Sequence, residues 1–211
     1  MQGFYGGYQT PAHGSQDSGW GAALPELGLE YYYQIVQPDG KFGTPEYRTW
    51  WISPYVTMNA PNGSSKSSGF GAGSNQYSAS ATVNNYVAYG LWHATIAPVT
   101  ALYLFRNRNE TSMSETENAR LRGGLTLVLM DMAAGYQIRD DLIVGVHHAF
   151  NIYGVKDSDF PRATEGMVGP TFTYLGFAKD NLYLAGTLDV DYHHHNTPRN
   201  VALNFMLVKS F

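Results

Sequence analysis

Between short clusters of Gly, Pro, Asn and Ser, this chain alternates apolar residues with polar or small ones. Its clearest run is Gln76 to Tyr89, where Tyr77, Ala79, Ala81, Val83, Val87 and Tyr89 oppose Gln76, Ser78, Ser80, Thr82 and Asn84. Successive side chains of a strand point to opposite faces, so a period of two gives one apolar and one polar face. Wound as a helix, the same residues would spread their apolar groups around the whole circumference and bury few of them. The alternation predicts an all-β chain.

The pattern recurs. Leu27, Leu29, Tyr31, Tyr33 and Ile35 oppose Gly28, Glu30, Tyr32 and Gln34 in a strand from Leu27 to Gln37. Arg48 to Ala60 sets Trp50, Ile52, Val56 and Met58 against Thr49, Ser53, Thr57 and Asn59. Trp92 to Phe105 is apolar on both faces. Leu121 to Ile138 places Thr126, Val128, Met130, Met132, Ala134, Tyr136 and Ile138 on one parity, with Leu125, Leu127, Leu129, Asp131 and Gln137 on the other. Leu142 to Tyr153, Met167 to Phe177 and Leu182 to His193 follow, and Gly3 to Thr10 is a short aromatic candidate at the start. The last strand, Val201 to Phe211, carries Val201, Leu203, Phe205, Leu207 and Phe211 on one side, with Lys209 interrupting.

Connection lengths add a second constraint. Pro11–Glu26, Pro61–Asn75, Arg106–Arg120 and Gly154–Glu165 are long, whereas Gly90, Arg139–Asp141 and Ala178–Asn181 are tight turns. Long and short connections take turns, so the long ones gather at one end, as in outer-membrane barrels with short periplasmic turns and long outer loops. The expected fold is a single domain over residues 1–211, an antiparallel up-and-down transmembrane β-barrel of about ten strands, with eight or twelve as alternatives. A soluble secreted β-protein is the competing architecture.

Composition agrees. Only 14% of residues are charged, against about a quarter in soluble domains, while 14% are aromatic, led by 16 Tyr. No cysteine is present, which excludes disulfides and thiolate chemistry, and a net charge of −4 without a Lys/Arg cluster argues against nucleic acid as a partner. No apolar stretch is long enough for a membrane-spanning helix. The N-terminus has neither a basic n-region nor an apolar h-region, so for an exported protein the signal peptide is absent from this sequence.

If the apolar parity faces lipid, the other parity lines the lumen, and it carries Glu30, Asp131, His147, Asp189, Asp191 and His193. A charge in hydrocarbon is costly, which favours the inward placement. Such a lining either favours cations and hydrogen-bonding solutes or fills the lumen with a paired polar network. Leu125, Leu127 and Leu129 on that parity would make part of the passage apolar. Trp50, Trp51, Trp92 and the Tyr residues near strand ends read as an interfacial girdle. His193 and His195 with Asp191 share a parity, but without further ligands they predict no metal site. No nucleophile, phosphate loop or dinucleotide fingerprint stands out, so neither an enzyme nor a cofactor is expected.

From Ile52 onward the chain resembles the outer-membrane phenol meta-pathway transporter family, barrel proteins associated with aromatic-compound catabolism. The resemblance is carried by Ala60-Pro61-Asn62-Gly63 with Gly73-Ser74-Asn75-Gln76-Tyr77-Ser78. It continues in Gly135-Tyr136-Gln137-Ile138, Asp140-Asp141-Leu142, Val144-Gly145-Val146 and Val168-Gly169-Pro170 before a strand ending in Phe. It implies a barrel in the bacterial outer membrane, with the lipid bilayer and its lipopolysaccharide as surroundings. The function expected on all these grounds is passive uptake of small solutes, aromatic or hydrophobic ones included. The alternative is a barrel with a filled lumen that acts through its outer loops. Nothing in the sequence sets an oligomeric state.

Overall fold

A computed structural model describes residues 26–59, 77–106, 122–159, 161–177 and 182–209. They form one antiparallel sheet of ten strands: β1 (Glu26–Glu30), β2 (Tyr33–Asp39), β3 (Arg48–Asn59), β4 (Ser78–Tyr89), β5 (Trp92–Arg106), β6 (Arg122–Arg139), β7 (Leu142–Lys156), β8 (Ala163–Tyr174), β9 (Leu182–His195) and β10 (Val201–Lys209). From β3 onward each strand pairs with the next, the up-and-down order of a barrel. The expected strand Leu27–Gln37 is split: β1 pairs with Tyr55–Asn59 and β2 with Arg48–Ile52, both along β3. The expected Gly3–Thr10 strand, most of the long loops and Phe211 lie outside the described residues.

The sheet is rolled. Tyr32, at the junction of β1 and β2, lies close enough to Tyr183 of β9 for their phenols to interact electrostatically. Seven strand spacings separate these strands along the sheet, roughly 34 Å were it flat. Among the described residues, no backbone pairing joins β1 or β2 to β10.

Burial is inverted relative to a water-soluble sandwich. The buried polar residues are Thr49, Ser53, Thr57, Ser78, His93, Thr126, Gln137, Glu165 and Asp189, whereas the buried apolar ones are four alanines and Met167. Large apolar side chains sit outside instead: Leu27 is 81% exposed, and Val201, Leu203, Phe205 and Leu207 of β10 are all above 60%. Register carries each face across the strands. Val56, Ala81, Ala101, Leu127 and Ile152 lie side by side on the outer face, and Thr57, Ser80, Leu102 and Thr126 on the inner one.

Two interruptions change the faces read from strict alternation. Between Leu129 and Met132, β6 accommodates an extra residue against β7, and Met130 adopts a φ of 51°. A β-bulge of this kind shifts the alternation by one. Thr126 and Val128 therefore face inward above it and Asp131 and Gln137 below it, while Leu125, Leu127 and Leu129 face outward. The apolar passage expected from those leucines is corrected: they join the outer surface. The second interruption lies in β9, where Gly166 pairs with His193 but Met167 pairs with Asp191. β8 also starts earlier than expected, at Ala163, because a polar residue such as Glu165 suits a strand whose inner face is polar.

Candidate functional site

The inner face at mid-strand is built around His147 of β7. Nδ1 lies 2.9 Å from Asp189 Oδ1 of β9, and Nε2 lies 3.0 Å from Asp131 Oδ1 of β6. Reaching Asp189 means crossing β8, and the residue paired with His147 there is Gly169, which has no side chain to obstruct it. Asp131 faces the ring because the Met130 bulge has turned it inward. An ionised carboxylate only accepts, so a ring bonded to two of them donates from both nitrogens, as an imidazolium. One positive charge then stands between two negative ones. The Asp189 side chain is 3% exposed and that of Asp131 47%, so Asp131 is the open end of the network.

Toward the long-loop end, Glu165 accepts a hydrogen bond from the Tyr153 hydroxyl at 2.8 Å and a longer one from Asn151. Asp191 lies on the same face, paired with Met167, and its side chain is 2% exposed. Toward the short-turn end the face becomes aromatic. Trp51 stacks on Tyr86 at 5.5 Å and meets Tyr32 edge-on at 5.2 Å. The Tyr86 hydroxyl bonds His93 Nδ1 at 2.8 Å, and His93 Nε2 bonds Gln137 Oε1 at 3.2 Å. The Gln oxygen only accepts, which assigns the His93 proton to Nε2. The β2–β3 connection folds onto this cluster: Phe42 packs 5.3 Å from the His93 ring, and Gly43 abuts the Gln137 amide. Glu30 accepts from the Ser53 hydroxyl and also bonds Tyr32.

The six residues expected to share a face thus divide. Glu30, Asp131, His147, Asp189 and Asp191 lie on the inner face, and His147 brings Asp131 and Asp189 together. His193 is corrected to the outer face: the β9 irregularity sets it beside Gly166, stacked on Phe150 and bonded to Thr164. His194 turns inward in its place, 3.3 Å from Asp191. His193 therefore cannot join Asp191 in a metal or catalytic group, and among the described residues no three His, Asp or Glu side chains converge as metal ligands. Trp51 is likewise corrected, from girdle to inner aromatic ladder. Trp50 and Trp92 remain on the exposed face, where Trp92 meets Tyr136 at 5.1 Å beside Tyr89. Glu165, His93 and Gln137 also face inward, and of these Gln137 shares the strand parity of Asp131.

Comparison with family models, with curated proteins and with solved structures gives no match.

Proposed function

We propose that this chain is a bacterial outer-membrane β-barrel that admits small solutes through an acidic interior. The observation that carries the reading is the inverted burial. In water each exposed Leu, Val or Phe of the outer face forgoes roughly 1.5–3 kcal/mol of burial, whereas a bilayer supplies the apolar surroundings. Soluble monomers seldom expose a continuous apolar surface of such extent. Exposed aromatic residues at both strand ends, Tyr89, Trp92 and Tyr136 at one and Tyr77 and Phe105 at the other, suit the two headgroup levels.

Cation preference follows from the inner charges. Glu30, Asp131, Glu165, Asp189 and Asp191 face inward, and among the described residues their only cationic neighbours are histidines. A narrow, acid-lined passage favours cations. The resemblance to phenol meta-pathway transporters suggests aromatic solutes, and the Tyr32–Trp51–Tyr86 ladder offers them stacking surfaces. That resemblance rests on its sequence motifs alone.

A filled interior is the second reading, favoured by the Gly40–Tyr47 connection, which covers His93 and Gln137 at the short-turn end. One experiment separates the two. The protein is refolded in detergent micelles, where a heat-modifiable β-rich species is expected, and is inserted into a planar bilayer under a KCl gradient. Steady current with a cation-selective reversal potential that D131N moves toward zero supports the channel. A folded barrel without current supports the filled interior, and a monodisperse β-protein in plain buffer removes the membrane reading.

A further inference from the structure

Asp191 is anomalous on this inner face. Its side chain is 2% exposed, yet among the described residues neither carboxylate oxygen has a hydrogen-bond partner. His194 Nδ1 comes within 3.3 Å of Oδ2 but at an angle that makes no hydrogen bond. The other inner acids each accept hydrogen bonds: Asp189 and Asp131 from His147, Glu165 from Tyr153 and Asn151, Glu30 from Ser53 and Tyr32. A buried carboxylate without partners is costly and normally marks an absent donor. Glu165 lies two residues along β8 from Asp191's pairing partner on the same face, roughly 7 Å away along the strand. Two carboxylates therefore stand near each other, Glu165 accepting hydrogen bonds at Oε2 and Asp191 accepting none among the described residues.

We infer that Asp191, supported by Glu165, is a binding subsite for a small organic cation bearing N–H donors, an alkylammonium or guanidinium group. The donor chemistry selects this class. A divalent metal wants a shell of several oxygen ligands, and among the described residues no three acidic or histidine side chains converge here. An ammonium or guanidinium needs only acceptors, and a carboxylate with both oxygens open can take two parallel N–H bonds. A quaternary ammonium of similar size has the charge without the donors. The inference rests on the acidic interior proposed above being reachable by solutes, but it does not require passage through it.

The test uses the folded full chain in detergent micelles and reads the midpoint of heat unfolding. Methylammonium and guanidinium chlorides at millimolar concentration are compared with tetramethylammonium chloride at equal ionic strength. A ligand bound only by the folded state raises the midpoint with concentration. Methylammonium and guanidinium are expected to raise it while tetramethylammonium does not. In D191N the apparent affinity falls on the order of tenfold or more. D141N, at the distant Arg139–Asp141 turn, keeps the methylammonium response. An undiminished response in D191N overturns the inference. Equal effects of methylammonium and tetramethylammonium on wild type do so as well, even if D191N fails to fold. A barrel that responds but carries no current keeps the subsite and loses the channel; a conducting barrel without the response does the reverse.

Discussion

The inner face has two unlike halves. Along β3, β4 and β5 it is knit by neutral groups between neighbouring strands: Thr57 with Ser80 at 2.6 Å, Thr100 with Thr82 at 2.8 Å, and the stacked Trp51 and Tyr86. Glu30 faces inward from β1, and among the described residues of β2 to β5 no further acid does. Along β6 to β9 it is ionic, and its central bond spans from β7 over β8 to β9. Neutral hydroxyl pairs contribute about 1 kcal/mol each and are replaceable. A buried ion pair is different: it adds little net stability, yet removing one partner strands the other charge at a cost of about 3–5 kcal/mol. The neutral half therefore tolerates substitution, while the ionic half depends on its geometry.

The largest expected effect is on that geometry. A Cβ at Gly169 would lie 1.8 Å from the Leu188 carbonyl oxygen, a clash with backbone that no rotamer change relieves. Gly169→Ala is expected to abolish the heat-modifiable folded species on gels. Gly28→Ala is the matched probe in the neutral half. There the three atoms nearest the added Cβ all belong to the Tyr55 side chain, the closest at 2.7 Å, rather than to backbone, and the folded species should persist.

Next comes charge. Asp189→Ala leaves His147 facing Asp131 alone and empties the most buried end of the network. A loss of about 3–5 kcal/mol is expected in urea unfolding from micelles. Replacing His147 and both acids together by apolar residues of similar volume should cost less than Asp189→Ala alone, because no charge is then left unpaired. If the triple variant is the worse of the two, the network contributes more than its electrostatics.

The same contrast decides how much was legible in the sequence. In β3, β4 and β10 alternation runs unbroken, and the faces of Trp50, Thr57, Ala81 and Leu203 follow from counting by two. In β6 and β9 an irregularity breaks the count, which is why Thr126 and His193 ended on the faces opposite to those expected. A bulge costs one residue of register and has no composition signature when its positive φ falls on Met130 rather than on a glycine. Glu165 was hidden for another reason. At the end of the polar Gly154–Glu165 stretch it reads as loop, and only a polar interior makes a buried glutamate at a strand start sensible. Asp131, His147 and Asp189 could each be placed inward by parity, but their meeting depends on the register of four strands, which no local pattern encodes.

The smallest effect tests the neutral half on its own terms. Ser80→Ala removes one member of the Thr57–Ser80 pair. Thr57 is buried, so its hydroxyl loses a partner rather than gaining water, and the expected cost is about 1 kcal/mol. Thr57→Val together with Ser80→Ala removes both hydroxyls and should cost less than Ser80→Ala does, since no polar group is then left unsatisfied. Both variants should leave cation selectivity unchanged, because neither alters an inner charge. Urea unfolding in micelles checks the stabilities and the reversal potential checks the selectivity. If Ser80→Ala proves as damaging as Asp189→Ala, the division into a tolerant neutral half and an intolerant ionic half fails, and the interior must be treated as one cooperative network.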